Sequence, residues 1–586
     1  MSAPAPARAD AAASRGVAWA APLLALLIAL PPMFVRHGAT QPARIMEHLS
    51  ILTSQETWLA LKSGAPGASW VIPTWNGEPR VNKPPLLVWM NLLAWSDLRP
   101  ETADLMRLVE RSRRLAVVLS LAGLLGIIWA GAALGDIRRG ALAAAIAGTS
   151  FFFVRQARFA SYDTHLVAWL ALSGAAGVWA MQLGRGAPRA GRLAAGSALS
   201  GIFLAAAILT KGPLALLLGA GPMLAIALTR PASRARRAAG VALAVLAAAA
   251  ICAPWYLHVL RYVESAGPRM MREYQAHRDE FQPPWYYLGL LALFLPWSLA
   301  MTAGLLRPRE EAGEGGSGRL EGPAGAGPRA WRADWIWFVF IFVVMSIPAA
   351  KQQRYIAPIV PAAALLAADA WARPPGAGAA GRFWRFAGPA QWALLAGVAA
   401  GVPAFALLEP ALLARGWISE PTLSHVPWPA WAVLLPLLPA AVGVAGRRAG
   451  AGGRWTAGLL AAAAISLAAT AAFAGYAVSG HGDYRCRAEA FEIDRLVGAT
   501  PFYHLRQGAD RRALPRIEFL MYTRRVVPAV DPADIDRRRA AGEAFFVAAR
   551  RLHDDTPDLA RRGLVHVRDY RDGEKKPMAL YRTPQD

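Results

Sequence analysis

Cysteine is almost absent from this 586-residue sequence, which contains only Cys252 and Cys486. Two such cysteines form neither a disulfide framework nor the spacing of a metal site, and they do not indicate a redox compartment. Charged residues are also scarce, at 17% of the chain, whereas hydrophobic residues make up 55%. A single soluble core cannot bury so many apolar side chains. The composition therefore predicts a membrane protein.

Acidic residues are few as well, with 39 of them against 63 lysines and arginines, which gives a formal net charge of +24. A charge of this sign is one feature of proteins that bind nucleic acid. Many of these arginines, however, lie in short loops between apolar stretches, where topology and anionic lipid explain them better. We therefore predict membrane lipids, and no nucleic acid, among the partners.

Apolar stretches of about the length that crosses ~30 Å of hydrocarbon recur along the first four fifths of the chain. The first follows Arg8 and Arg15 but lacks a clear small-residue cleavage site, and we interpret it as a retained helix rather than a signal peptide. The thirteen predicted spans are 17–35, 114–134, 140–154, 163–183, 194–209, 213–229, 239–256, 285–305, 334–349, 355–372, 388–409, 428–446 and 456–478.

The arginine-rich loops indicate the orientation of these spans. If the N-terminus is cytoplasmic, the loops that hold Arg138 and Arg139, Arg185 to Arg192 and Arg230 to Arg237 all fall inside, as the positive-inside rule requires. The long first loop and the C-terminal residues then lie outside. We predict a multi-pass protein of the bacterial inner membrane, with its active site and its C-terminal domain in the periplasm.

The sequence divides into two predicted domains. Residues 1–479 form a transmembrane domain that includes the outer loop 36–113, and residues 480–586 form a soluble outer domain. The second part alternates apolar runs such as PFYHL and AFFVAAR with charged segments that suit helices, which is typical of a small α/β domain. It has no nucleotide-binding glycine loop.

The first outer loop contains the run WVIPTWNGEPRVNKPPLL, in which Lys83 precedes two prolines. Prolines restrict the residue before them to extended geometry and can start a helix, so Lys83 is predicted to stand on a rigid elbow at the membrane surface. There its ammonium group can reach a lipid phosphate. The alternative is an interfacial helix with a snorkelling lysine.

Charged residues at the ends of other spans are the remaining candidates, because each needs a partner, water or a function. Asp163 begins a span and is predicted to pair with Arg158, the alternative being a helix N-terminal cap. Lys211, beside Gly212 and Pro213, is predicted to contact phosphate rather than to snorkel. The run KQQRY and a neighbouring loop add four candidates, which are Lys351, Arg354, Tyr355 and His277.

These motifs, in this order, resemble the ArnT and protein O-mannosyltransferase superfamily of GT-C glycosyltransferases. The matching pieces are WVIPTWNGEPRVNKPPL in the first loop, LTKGP at 209–213, PWY at 254–256, QPPWYY at 282–287 and RYIAP at 354–358. The resemblance covers the whole membrane part. It implies an α-helical polytopic protein with the GT-C fold, about thirteen spans and a small outer α/β domain.

The resemblance also implies an activity: transfer of a sugar from a polyprenyl-phosphate donor to an acceptor such as lipid A, another glycolipid, a polysaccharide or a protein. Lys83, Arg158, Lys211, Lys351 and Arg354 would then stabilise the leaving phosphate. A carboxylate would take the acceptor's proton, and Glu47 is preferred for this position over Glu56. Together with the second catalytic candidate, Asp163, these residues form the predicted site.

The sequence departs from the family pattern at Asn82, where a glutamate is usual, and this removes a potential metal ligand. No cofactor is therefore assigned, although a divalent metal stays open. A transporter or flippase of lipid-linked sugars is the main alternative, and a structural membrane subunit is the third. Transporters more often have internal symmetry and helices broken at the midplane, whereas the charges here cluster on one face. The sugar, the acceptor and the oligomeric state do not follow from the sequence.

Overall fold

The structure is a computed structural model of the whole chain. It describes residues 7–40, 42, 45–183, 186–231, 233–275, 281–309, 331–418, 437, 441–442, 444, 453–476, 484–506, 517–550, 559–571 and 577–584. The chain folds into two compact units. Unit 1 contains Met1–Ala39, Asn82–Leu87 and Arg113–Gly480, and unit 2 contains Thr40–Val81, Val88–Ser112 and His481–Asp586.

Helices dominate the chain. In order they are α1 (Ala7–Phe34), α2 (Ile45–Ser63), α3 (Leu86–Ala94), α4 (Leu105–Ala133), α5 (Ile137–Thr149), α6 (Phe151–Ala157), α7 (Tyr162–Met181), α8 (Ala190–Lys211), α9 (Leu214–Leu228), α10 (Arg234–Tyr262), α11 (Ala266–Gln275), α12 (Leu290–Leu293), α13 (Ser298–Leu305), α14 (Ala333–Ser346), α15 (Val360–Ala372), α16 (Gly378–Ala414), α17 (Arg454–Tyr476), α18 (Tyr484–Val497), α19 (Ile517–Thr523) and α20 (Pro532–Ala540). Two 3-10 helices, Pro284–Gly289 and Gln353–Ile359, precede α12 and α15.

Seven described helices are long and apolar enough to cross a membrane. They are Leu105–Ala133, Tyr162–Met181, Ala190–Lys211, Arg234–Tyr262, Gln353–Ala372, Gly378–Ala414 and Arg454–Ala474. Three shorter apolar helices, Ala20–Phe34, Leu214–Leu228 and Ala333–Ser346, coincide with three more of the predicted spans. Most of the predicted span 428–446 lies outside the described residues.

Two predicted spans are not continuous helices. The span predicted at 140–154 consists of α5 and α6, which meet at 72°. Ser150 between them has extended backbone, and the next N–H, of Phe151, donates to the carbonyl of Leu295 instead of to its own helix. The span predicted at 285–305 is divided into a 3-10 turn, α12 and α13. Such breaks are tolerated in a membrane where neighbouring protein satisfies the freed backbone groups.

Small residues allow the helices of unit 1 to pack closely. A Cβ atom on Gly126 of α4 would lie 2.9 Å from the backbone carbonyl carbon of Ala171 in α7. Antiparallel α7 and α8 are joined by Ser173 and Ser200, whose hydroxyls each donate to the other's backbone carbonyl, at 3.0 and 2.9 Å. Interfaces of small and hydroxyl residues are typical of helices that associate in lipid, where no hydrophobic effect drives them together.

A buried network of charges joins the ends of four helices in unit 1. Asp369 of α15 accepts from Arg332 at 2.6 Å and lies 3.3 Å from Arg307, and Asp334 of α14 accepts from Arg332 at 2.9 Å. Arg139 of α5 pairs with Asp334 as well. Asp334 and Asp369 are almost inaccessible to solvent, and buried carboxylates persist only when paired in this way.

Unit 2 combines α2 with a β-hairpin and a C-terminal α/β fold. Strands β1 (Thr74–Trp75) and β2 (Glu78–Pro79) are antiparallel and are joined by Asn76 and Gly77, whose φ angles of 53° and 77° suit this residue pair. The five-stranded sheet has the order β4-β3-β5-β7-β6. Its strands are β3 (Phe502–Leu505), β4 (Ala529–Val530), β5 (Phe546–Arg550), β6 (Val565–Arg571) and β7 (Pro577–Arg582).

The sheet is mixed. Strand β3 pairs in parallel with β4 and β5, whereas β7 pairs antiparallel with β5 and β6. A core of buried side chains that includes Val547, Ile535 and Phe545 packs between the sheet and its connections. The predicted small α/β domain therefore forms from these C-terminal residues. The first loop, which the sequence assigns to the membrane domain, contributes residues 40–81 and 88–112 to the same unit.

Candidate functional site

Asp163, in the first turn of α7, is the centre of a charged cluster in unit 1. Its Oδ1 atom accepts from the ammonium group of Lys211, the last residue of α8. Its Oδ2 atom lies 3.6 Å from Nε of Arg354. The Asp163 side chain is 2% exposed, so this carboxylate depends on its two cationic partners rather than on water.

The local sequence explains why these groups meet. A carboxylate in the first turn of a helix and an ammonium group in the last turn both interact favourably with the helix dipole. Because α7 and α8 are antiparallel, the start of one helix lies beside the end of the other. Gly212, with a φ angle of 97°, then ends α8 in a conformation that favours glycine, and Pro213 follows it.

Tyr355 completes the cluster. Its ring centroid lies 4.8 Å from Nζ of Lys211 and 5.4 Å from Cζ of Arg354, which are cation–π distances. Two cations therefore share one carboxylate and one aromatic ring. This arrangement has an excess of one positive charge, which suits a phosphate group as a further partner.

Lys351 lies in the same segment between α14 and α15 but has a different environment. Its ammonium group donates to the carbonyls of Gln282, at 2.9 Å, and Pro348, at 2.5 Å. The hydroxyl of buried Tyr287 donates to the carbonyl of Gln352 at 3.2 Å. The bonds from Lys351 to Gln282 and from Tyr287 to Gln352 connect the loop after α14 to the segment before α12, and so they hold the turn that carries Arg354 and Tyr355.

Tyr287 belongs to the motif QPPWYY but is not among the site residues that the sequence predicts. The structure distinguishes it from its neighbour Trp285, because Trp285 is 66% exposed whereas Tyr287 is 2% exposed. The 3-10 conformation of Pro284–Gly289 turns Tyr287 inward, and nothing in the local composition predicts that conformation.

Arg158 has partners other than the predicted one. The sequence predicts that it pairs with Asp163, but its guanidinium group donates to the carbonyl of Pro32 at 2.8 Å and lies 4.4 Å from the ring of Phe473. It therefore satisfies a carbonyl group near the C-terminal end of α1. Lys83 belongs to the Asn82–Leu87 segment of unit 1 and is half-buried. His277 lies outside the described residues.

The two candidate acids of the first loop, Glu47 and Glu56, belong to α2 in unit 2. Glu47 is fully buried in the first turn. Glu56 accepts from the backbone N–H of Asn76 at 2.6 Å and from that of Gly77 at 2.8 Å, one for each carboxylate oxygen. Both oxygens of Glu56 are therefore engaged in holding the hairpin turn.

The turn is also fixed from its other side. The side-chain amide of Asn76 donates to the carbonyl of Val527 at 2.8 Å and accepts from the Val527 N–H at 2.6 Å. This pair joins residues 451 positions apart, and the sequence does not predict it. Among the described residues, no group of three or more His, Cys, Asp or Glu side chains could hold a metal ion.

Known proteins resemble the chain at several levels. Residues 112–264 match the family model of dolichyl-phosphate-mannose-protein mannosyltransferases. An uncharacterized protein of Aquifex aeolicus (strain VF5) is 28% identical over 319 residues, and this match covers 53% of the chain and 56% of that protein.

Two solved structures share the fold. The crystal structure of ArnT from Cupriavidus metallidurans bound to undecaprenyl phosphate matches with a TM-score of 0.62 and 22% identity, over 96% of this chain and 99% of that one. The archaeal oligosaccharyltransferase AglB from Archaeoglobus fulgidus, in complex with an inhibitory peptide and a dolichol-phosphate, matches with a TM-score of 0.51 and 11% identity, over 92% and 70%. The fold class that the motifs predict is thereby confirmed.

Proposed function

We propose that this chain, a polytopic membrane protein with the GT-C fold, is a glycosyltransferase that moves a sugar from a polyprenyl-phosphate donor to an acceptor. The observation that carries the proposal is the cluster of Asp163, Lys211, Arg354 and Tyr355 in unit 1. It combines two partly buried cations, a buried carboxylate and an excess positive charge at the ends of membrane helices. In a membrane protein, such charges need a functional reason.

Related proteins support a lipid-phosphate donor. One ArnT structure contains undecaprenyl phosphate, one AglB structure contains a dolichol-phosphate, and the matching family model is that of mannosyltransferases that use dolichyl-phosphate-mannose. A sugar on a polyprenyl phosphate has a phosphate leaving group, and the excess charge near Asp163 has the right sign to bind it.

The chemistry is a displacement at the anomeric carbon. An acceptor hydroxyl attacks this carbon, the bond from the carbon to the phosphate oxygen breaks, and the polyprenyl phosphate leaves with the bonding electrons. Lys211 and Arg354 stabilise the charge that develops on the leaving phosphate, and Asp163 holds both cations in position. Lys83 is the predicted additional phosphate ligand. Glu47 is the predicted base for the acceptor proton.

The orientation belongs to the same proposal. The arginine-rich loops favour a cytoplasmic N-terminus, which would put the cluster and the C-terminal residues on the periplasmic side of a bacterial inner membrane. The acceptor would then be a periplasmic glycolipid, glycan or protein. Modification of lipopolysaccharide would be one such reaction.

The test uses the purified chain in nanodiscs with a radiolabelled polyprenyl-phosphate sugar and a membrane glycolipid extract as acceptor. We expect release of free polyprenyl phosphate, and a loss of about 10²-fold or more in Lys211→Met and in Arg354→Met, since each removes a stabilising cation. Asp163→Asn should lose activity as well. Asp136→Asn, at the N-terminal cap of α5, is the matched control and should keep it.

Two outcomes would contradict the proposal. If the wild-type chain moves the intact labelled lipid across a vesicle membrane without releasing polyprenyl phosphate, it is a transporter. If it does neither while remaining folded, the charged cluster has a structural role.

A further inference from the structure

Tyr287 is a buried polar residue of unit 1 that has no part in the proposed displacement. Its hydroxyl donates to the carbonyl of Gln352 at 3.2 Å, and its side chain is almost inaccessible to solvent. The preceding residue, Tyr286, is only half-buried, and its hydroxyl has no hydrogen bond in the described part of the chain. A buried hydroxyl is expected to have a partner, and that of Tyr287 has one in the segment that leads to Arg354.

The acceptor of this bond has a defined position in the backbone. Gln352 has extended backbone and is the N-terminal cap of the 3-10 helix Gln353–Ile359. Its carbonyl also accepts from the N–H of Tyr355 at 2.9 Å, which closes the first turn of that helix. A carbonyl oxygen has two lone pairs, and the Tyr287 hydroxyl and the Tyr355 N–H therefore occupy both of them.

Two further bonds join the same pair of segments. The N–H of Gln282 donates to the carbonyl of Ala349, and the ammonium group of Lys351 donates to the carbonyl of Gln282, each at 2.9 Å. Both bonds end before the 3-10 helix begins. The bond from Tyr287 reaches the carbonyl that closes the first turn of this helix, and so it bears more directly on the orientation of Arg354 and Tyr355.

These two residues connect the turn to the charged cluster. Nε of Arg354 lies 3.6 Å from Oδ2 of Asp163, and the ring centroid of Tyr355 lies 4.8 Å from Nζ of Lys211. Both contacts weaken if the turn rotates, because charge and cation–π interactions depend on distance and orientation. Asp163 is also near enough to Tyr287 to act electrostatically on its hydroxyl.

We propose that Tyr287 is a positioning residue for the transfer reaction, because its bond to the Gln352 carbonyl orients the turn from which Arg354 meets the leaving phosphate. The proton of the hydroxyl is already donated and the side chain is buried, so Tyr287 acts through Arg354 and not by contact with the substrate. This inference rests on the proposed function. Stabilisation of a leaving group is strongest in the transition state, and its loss lowers kcat more than it raises KM.

The first test compares Tyr287→Phe with Tyr286→Phe, since each substitution removes one hydroxyl and keeps the ring. In the nanodisc assay for polyprenyl phosphate release, we expect Tyr287→Phe to lower kcat about 10-fold and to change KM by less than about 3-fold. Tyr286→Phe is the matched control and should keep the kcat of the wild type. Thermal unfolding of each variant checks that the chain is folded under the assay conditions.

A double-mutant cycle with Arg354→Met tests whether Tyr287 acts through Arg354. If it does, adding Tyr287→Phe to Arg354→Met should lower kcat by less than about 3-fold further. The same loss from Tyr287→Phe in both backgrounds would mean that the two residues act independently, and it would overturn the proposal. A wild-type kcat in the single variant Tyr287→Phe would overturn it as well.

Hydrogen exchange of the backbone amides at 353–357, measured without substrate, separates this inference from the proposed function. Tyr287→Phe should lower their protection about 5-fold, and Tyr286→Phe should leave it unchanged. If the wild-type chain releases no polyprenyl phosphate, the proposed function fails, and lower protection would make Tyr287 a structural residue of the turn. If the wild-type chain releases it while Tyr287→Phe changes neither protection nor kcat, the proposed function stands and the positioning role fails.

Discussion

The role of a charged side chain in this protein depends on which partner the tertiary packing places beside it. Asp163 and Glu56 are both acids near candidate motifs. Asp163 has two cations as partners, and together they carry one more charge than the carboxylate neutralises. Glu56 has two backbone N–H groups instead, which uses both of its oxygens for structure. At the residue scale, the identity of the partner therefore separates an acid that positions cations from an acid that anchors a backbone turn.

The two acids of the first loop should respond differently to substitution. Glu56→Gln removes the charge and one of the two acceptors that hold the turn of Asn76 and Gly77, and we expect it to destabilise the fold by about 1–3 kcal/mol. The folded fraction should keep its rate of polyprenyl phosphate release. Glu47→Gln should instead abolish release with little change in thermal stability. The opposite pattern would assign the base to Glu56.

His504 gives a prediction about pH. It is buried on β3, and neither ring nitrogen has a hydrogen-bond partner in the described residues. Burial lowers the pKa of His504 to about 4, from an ordinary value of 6.5. As the pH falls, the His504 imidazole is therefore protonated in the unfolded chain before it is protonated in the folded chain. The free energy of unfolding decreases between about pH 6.5 and about pH 4, by up to about 3 kcal/mol.

Hydrogen exchange of the β3 and β5 amides, measured on the full chain and corrected for the intrinsic rates, tests this expectation. Protection should decrease across that pH range in the wild type and much less in His504→Leu. His566→Gln, at an exposed histidine of β6, should behave as the wild type does. Equal pH dependence in the His504 variant would assign the effect to other groups.

At the scale of elements, helix packing depends on where a glycine faces a neighbouring backbone. The hydrophobic pattern predicts α4 and α7 from length and composition alone. It does not predict which residues meet between them. Gly126 faces the backbone at Ala171, whereas Gly397 of α16 has nothing within 4 Å of the position of an added Cβ atom. Two glycines in apolar helices therefore differ in how much space their neighbours leave for a side chain.

Alanine substitutions distinguish these glycines. Gly126→Ala forces α4 away from α7, and we expect a loss of about 1–3 kcal/mol from overpacking. Gly397→Ala meets no neighbour and should gain up to about 1 kcal/mol from better helix propensity. Thermal unfolding in one detergent, followed by tryptophan fluorescence, measures both. A Gly126→Ala chain as stable as the wild type would mean that this interface adjusts without cost.

At the scale of the whole molecule, the distribution of arginines predicts which ends of the helices face the cytoplasm. The prediction can be tested with Ala187→Cys, in a predicted inner loop, and Ala533→Cys, in the predicted outer domain. Both positions are exposed. In a Cys486→Ser background, where buried Cys252 should not react, a membrane-impermeant maleimide should label only Ala533→Cys in spheroplasts. Labelling of Ala187→Cys alone would invert the proposed topology.

The sequence by itself determined much about this protein: its membrane class, the approximate positions of most spans and, through its motifs, the class of its fold. These follow from hydrophobic length, loop charge and short motifs, each of which is read from a few residues at a time. The tertiary structure alone decided the bend at Ser150, the pairing of Asp163 with Lys211 and Arg354 rather than with Arg158, and the attachment of Glu56 to a turn. Each depends on which distant segments pack together, and a local pattern carries no information about that choice.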